Sequence, residues 1–136
     1  MAEITAVLDT NVLISAFIGR GAPHKALSAV YTGKVRLVIS PAMLLELEDV
    51  ISRPKFNYTK KQIRRILTVI FKVSKVVKPD FSVDIVMEDP SDNRVIEAAI
   101  SGKVQYIVTG DSHLLSLKNV ENIKIISVKE FLKLLS

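Results

Sequence analysis

The sequence predicts an α/β domain, with a central, mainly parallel twisted sheet of about four to five strands held between helical layers as a three-layer α/β/α sandwich. Three observations predict it. Short apolar runs rich in β-formers recur at Ile4–Leu8, Val35–Ile39, Tyr106–Thr109 and Ile123–Ile126. Stretches with helical spacing of apolar residues lie between them. Most of those stretches open on a capping Ser, Thr or Asp, or on an early proline, and several close on glycine.

The elements follow in order. Ile4–Leu8 is a buried strand that breaks into the polar turn Asp9-Thr10-Asn11, and the segment to Phe17 is a short helix closed by Gly19-Arg20-Gly21. Pro23 suits the first turn of a second helix that stops at Gly33. After the strand Val35–Ile39, Ser40 is an N-cap and Pro41 the first helical residue. Leu44, Leu47, Val50 and Ile51 form that helix's apolar stripe, and Arg53-Pro54 ends it. Thr59 and Gln62 make a capping box for a basic helix, with Ile63, Ile66, Leu67, Ile70 and Phe71 expected inward. Val73–Val77 and Phe81–Val86 are compatible with loop or short strand. Asp89 caps a helix with Pro90 in its first turn, turning Val95, Ile96, Ala99 and Ile100 inward and ending at Gly102. Tyr106–Thr109 then leads through Gly110-Asp111 into a short helix ending at Leu117. Ile123–Ile126 is followed by a second capping box, Ser127 to Glu130, and a last helix Val128–Leu135.

Composition narrows the function classes. The 136 residues suit one domain spanning 1–136, with 49% hydrophobic residues and a mean hydropathy of +0.31, which argues against disorder. No apolar run reaches the roughly 20 residues a bilayer requires. A strand beginning so near the N-terminus leaves no room for a cleavable leader, and a cytoplasmic location is expected. Absent cysteine removes disulfides, thiol nucleophiles and Cys-based zinc sites, and two histidines, His24 and His113, are too few for a His-rich site. Both are expected to be ordinary packing or surface residues. Net charge is +5, and nine basic residues with no acid stand between Asp49 and Asp80. Such a one-signed stretch suits a polyanion, although a solvated helix face would read the same way.

Four acids occupy comparable places in this plan: Asp9 ends the first strand, Glu46 and Asp92 lie in early turns of two helices, and Asp111 follows the third strand. In a parallel sheet, strand ends and the N-terminal turns of following helices share one edge, so these acids can meet in one cleft. Each also has a plainer explanation. Asp9 and Asp111 suit N-caps, Asp92 suits the first turn of any helix, and Glu46 could sit on a polar edge with Glu48 and Asp49. Glu46 is the most telling of them, since neither capping nor the helix dipole asks for an acid there; Asp49 is second. Clustered carboxylates repel unless a cation neutralises them. Oxygen ligands suit Mg²⁺, or Mn²⁺ with similar preferences, and the chemistry such ions support is hydrolysis of a phosphodiester by water.

These residues resemble the PIN-domain nucleases, in particular the bacterial and archaeal VapC-like toxins of toxin–antitoxin pairs. The resemblance is carried by Val7-Leu8-Asp9-Thr10-Asn11-Val12-Leu13, Ser40-Pro41 through Glu46, and Arg53-Pro54-Lys55-Phe56. Asp89-Pro90-Ser91-Asp92-Asn93 with Ala98-Ala99 and Val108-Thr109-Gly110-Asp111-Ser112-His113-Leu114-Leu115 continue it, and Ile125 to Leu132 closes it. It implies a metal-dependent endoribonuclease with Asp9, Glu46, Asp92 and Asp111 as ligand-bearing catalytic acids, supported through hydrogen bonds by Asn11 and Thr109. It further implies an RNA substrate, a homodimer and an antitoxin that blocks the cleft. Ser91 departs from the pattern, standing where related sequences often carry another Asp.

Lys60, Lys61, Arg64 and Arg65 are the expected docking residues for the RNA backbone. The aromatic content of 6% is not interleaved with the basic run, which gives base stacking no support. A phosphatase of the haloacid dehalogenase type is the nearest enzymatic rival. It needs a second Asp where Asn11 stands and another where Leu115 stands. A phosphoacceptor receiver domain would need an acidic pair after the first strand. The rival from another class is a non-catalytic RNA-binding or scaffold domain on the same fold, which loss of one or two acids would favour.

Overall fold

The computed structural model describes residues 3–86 and 89–136. At its centre lies β1 (Ile4–Leu8), where Ala6, Val7 and Leu8 are fully buried, as a parallel strand covered on both faces requires. Beside it run β2 (Val35–Ile39) on one side and β4 (Tyr106–Val108) on the other, both parallel, with Ala6 opposite Leu37 and Tyr106. β3 (Ser74–Val76) extends the sheet beyond β2, and β6 (Ile123–Ile126) extends it beyond β4, again in parallel. β5 (Asn119–Val120) adds a short antiparallel edge on β6, giving the order β3-β2-β1-β4-β6-β5. The sheet thus has six strands, the additional ones being short edges; Ser74–Val76 resolves one stretch that the sequence leaves open.

Seven helices surround it among the described residues: α1 (Thr10–Ile18), α2 (Ala22–Tyr31), α3 (Pro41–Ile51), α4 (Lys60–Val73), α5 (Pro90–Ser101), α6 (Ser112–Leu117) and α7 (Val128–Leu135). α2 packs against α1 and α7, whereas α5 lies across β1, β2 and β4. Gly102 at the end of α5 permits this closeness: a Cβ there would stand 2.6 Å from Cγ1 of Val38. The capping boxes at Thr59 and Ser127 form as expected, and Ser40 and Asp89 cap α3 and α5. Tyr106 meets the buried ring of Phe131 edge-on, tying α7 to the sheet. None of the described helices is long and apolar enough to cross a membrane.

α4 departs from expectation. Only Ile70 is fully buried, Ile63, Ile66 and Leu67 are half-buried, and Phe71 faces solvent at 56% exposure. The helix is peripheral, resting chiefly on α3 and β3, so its apolar stripe exceeds the surface available to cover it. Phe71, Leu67, Leu44, Leu45 and Pro41 consequently line an open apolar groove of about 590 Å³ between α3 and α4.

The segment Phe81–Val86 forms neither helix nor strand. α5 pins it instead. Asn93, buried on α5, accepts hydrogen bonds from the amides of Ile85 and Val86 (2.9 and 2.8 Å) and donates to the Val86 carbonyl (2.8 Å). Glu97, also buried, accepts from the Val83 amide at 2.9 Å and pairs with Arg94 at 2.7 Å.

Candidate active site

Parallel pairing brings the C-terminal ends of β1, β2 and β4 to one edge of the sheet, and the acids gather there. A hollow of about 50 Å³ is lined by Asp9, Thr10, Asn11, Glu46, Asp89, Ser91, Asp92 and Val95. Asp111 adjoins it, near enough for its charge to act on both Asp9 and Asp92. The residues come from four separate segments: the turn after β1, the second turn of α3, the first turn of α5 and the turn after β4.

Capping and the cleft prove not to be alternatives, because each carboxylate has two oxygens. Asp9 caps α1 by accepting from the Val12 amide at 2.9 Å through Oδ1, while Oδ2 accepts from the Thr109 hydroxyl. Asp111 caps α6 through Oδ1, accepting from His113 N (2.7 Å) and Leu114 N (3.1 Å). Its own amide donates to the Thr109 hydroxyl at 3.0 Å, so Thr109 links Asp9 to Asp111. Glu46 is half-buried, and its Oε2 accepts from the Thr10 hydroxyl at 2.9 Å. Asp89 accepts from the Ser91 amide and hydroxyl, which leaves Asp92 free of capping duty. Asp92 is 6% exposed, and its Oδ2 is buried with no hydrogen-bond partner among the described residues.

Of the residues expected to support the acids, Thr109 does so directly. Asn11 lines the hollow from an exposed position, and no side-chain hydrogen bond joins it to an acid among the described residues. Thr10, expected only as part of the polar turn after the first strand, holds Glu46 instead. Asp49 points to solvent and pairs with Arg53 at 3.5 Å, away from the hollow's lining. His113 stands beside the acids, its Nδ1 3.6 Å from Oδ1 of Asp111.

Packing acids together in a buried edge has an electrostatic consequence. Burial raises the pKa of Asp9, with smaller upward contributions from Asp111 and Glu46, against the hydrogen bonds from Thr109 and Val12. Asp92 is pushed up to about 7, first by burial and then by Asp111, Asp89 and Asp9, with His113 acting in the opposite direction.

Lys60, Lys61, Arg64 and Arg65 are all exposed on the N-terminal half of α4. Lys60 and Arg64 face Glu48 of α3 and its C-cap Ser52 across a shallow depression. Glu46 and Glu48 lie about 160° apart around α3, at 100° per residue. The basic half of α4 therefore stands across α3 from Glu46 rather than beside the acids.

A family model described as PIN domain matches residues 5–113. The fold is similar to that of VapBC2 from Rickettsia felis bound to a promoter DNA fragment, at 14% identity and a TM-score of 0.62, covering 91% of this chain and 98% of that one. It is also similar to DNA-bound VapBC from Salmonella typhimurium, at 18% identity and a TM-score of 0.56, covering 92% and 98% of the two chains. The PIN-domain endonuclease Utp24 aligns at 15% identity with a TM-score of 0.53, covering 90% and 84%. No curated protein matches the chain in sequence. The family match runs from β1 to the first turn of α6 and includes every segment that delivers an acid to the hollow, so the chain belongs to the PIN-domain family.

Proposed function

We propose that this chain is a cation-dependent endoribonuclease that hydrolyses RNA phosphodiester bonds, acting as the toxin of a toxin–antitoxin pair in the cytoplasm. The observation that carries the reading is the convergence of Asp9, Glu46, Asp92 and Asp111 on one sheet edge, with the buried Oδ2 of Asp92 unpartnered among the described residues. A buried carboxylate oxygen without a donor is costly unless a cation meets it. The all-oxygen set formed by these acids fits Mg²⁺ or Mn²⁺. A cation held there supplies Lewis acidity to an attacking water and to the phosphoryl oxygens.

The chain's own residues do the rest. Thr109 and Thr10 hold Asp9 and Glu46 in place through their hydroxyls. The cap bonds to His113 N and Leu114 N orient the Asp111 carboxylate. Because the basic residues of α4 lie across α3, they bind phosphates flanking the scissile one, and an RNA strand that touches both sets passes over α3. Their attraction acts on a strand that comes within about 8 Å, the distance beyond which physiological salt screens exposed charges.

The likeness to VapBC structures supports an antitoxin partner, and the resemblance to VapC-like toxins implies a homodimer. The exposed apolar groove between α3 and α4 is a surface that protein contacts of this kind cover.

The test is cleavage of a mixed RNA pool by purified wild type and Asp9→Asn, each with Mg²⁺, Mn²⁺ or EDTA. Cutting that requires the cation and is lost in the variant is the expected result. Tight RNA binding without cutting under every cation condition would overturn it in favour of a non-catalytic RNA-binding domain.

A further inference from the structure

We infer that His113 is a direct ligand of the cation at the Asp92–Asp111 side of the hollow, making that position a mixed nitrogen–oxygen site that selects Mn²⁺ over Mg²⁺. The inference rests on the proposed cation dependence and goes beyond it by adding a ligand outside the four acids.

Geometry is the first support. One ligating atom each from Asp92, Asp111 and His113 lies within 4.8 Å of the other two. Ligands sharing one ion at roughly 2.1 Å stand about 3 to 4.2 Å apart, so small side-chain rotations close this triangle on a single cation. The backbone enforces the approach: the His113 amide donates to Asp111 at 2.7 Å, which fixes the ring's root beside the carboxylate.

The second support is a matter of bonding and not of position. Asp92 is buried, and its Oδ2 has no donor among the described residues. His113 does not satisfy Asp111 through its ring either, since 3.6 Å exceeds hydrogen-bond range. The ring is half-exposed and makes no hydrogen bond among the described residues, so it can turn toward an ion without breaking a bond.

Donor chemistry sets the selectivity. Mg²⁺ takes oxygen ligands in near-ideal octahedra and gains little from imidazole. Mn²⁺ accepts nitrogen more readily, and Co²⁺ and Ni²⁺ more strongly still.

The experiment uses tag-free, metal-stripped protein as wild type, His113→Ala and His113→Gln, with matching circular dichroism required of all three. Calorimetric titrations with MnCl2 and MgCl2 measure affinity, and pulsed electron paramagnetic resonance of the Mn²⁺ complexes reports directly bound nitrogen. Wild type should show ¹⁴N modulation that both variants lose. Mn²⁺ affinity should fall about tenfold or more in the variants while Mg²⁺ affinity changes by less than about threefold. A wild-type Mn²⁺ complex without nitrogen coupling, coupling that survives in the variants, or equal losses for both ions would overturn the inference. Failure of wild type to bind either ion would overturn it together with the cation-dependent reading. Nitrogen coupling lost in the variants, combined with no cleavage of any RNA, would uphold the ligand and refute the nuclease.

Discussion

Asp92→Asn tests the electrostatics of the site without relying on its activity. The Asp92 carboxyl moves from its ordinary 3.8 to about 7 in the folded protein. A folded-state pKa raised above the unfolded one means the protein is most stable where the group is protonated in both states. That contribution is complete below the unfolded value and is lost as pH rises through about 7. A shift of some three units corresponds to about 4 kcal/mol of destabilisation of the metal-free protein at pH 8, at 1.36 kcal/mol per unit. Asn removes this charge but buries an amide with at least one unmet hydrogen-bonding group, which costs about 1–3 kcal/mol. The variant should therefore be about 1–3 kcal/mol more stable than wild type at pH 8 in EDTA, and the advantage should vanish or reverse at pH 4.5. Urea unfolding at both pH values measures it. Added Mn²⁺ should restore wild-type stability and act weakly on the variant. Equal stability at pH 8, or a difference independent of pH, would refute the account of a strained acidic edge.

Thr10→Val removes the hydroxyl that holds Glu46 while conserving volume. Cation-dependent cleavage should fall about 10–100-fold, with a loss of about 1 kcal/mol in stability. Asn93→Ala deletes three hydrogen bonds to the segment before α5, so the Ile85 and Val86 amides should exchange hydrogen faster and stability should drop by about 2–3 kcal/mol. Gly102→Ala should cost about 1–3 kcal/mol through its contact with Val38, and Val38→Ala in the same chain should recover part of that in a double-mutant cycle. Replacing Lys60, Lys61, Arg64 and Arg65 by Gln should flatten the salt dependence of RNA binding by about 3 in log–log slope, at roughly 0.7 per phosphate contact on single strands. Because these residues stand across α3, the rate at saturating RNA should hold while KM rises.

The sequence by itself determined the order of the elements and most of their boundaries, since caps and prolines act within a turn of where they stand. Asp89 with Pro90, Ser40 with Pro41, and the boxes at Thr59 and Ser127 are all local chemistry. Convergence of the acids was legible as well, because parallel strands oblige their carboxyl ends to share an edge. What local pattern could not reach is everything that depends on a distant neighbour. The Thr10–Glu46 and Thr109–Asp9 bonds join residues 36 and 100 apart in the chain, and nothing in either member specifies the other. The β5–β6 hairpin turns through Glu121 at φ 52°, without the Asn-Gly or Gly signal that announces such turns. Periodicity marked Phe71 as a residue to bury, but burial needs a second surface, and at the sheet's margin α4 meets chiefly α3 and β3. His113 looked ordinary for the same reason: two residues past a capping Asp it is a surface histidine, and only the packing of α5 brings Asp92 within reach of it. Tertiary structure thus decided which side chains meet, because contact is a property of the assembled layers and not of the segments that form them.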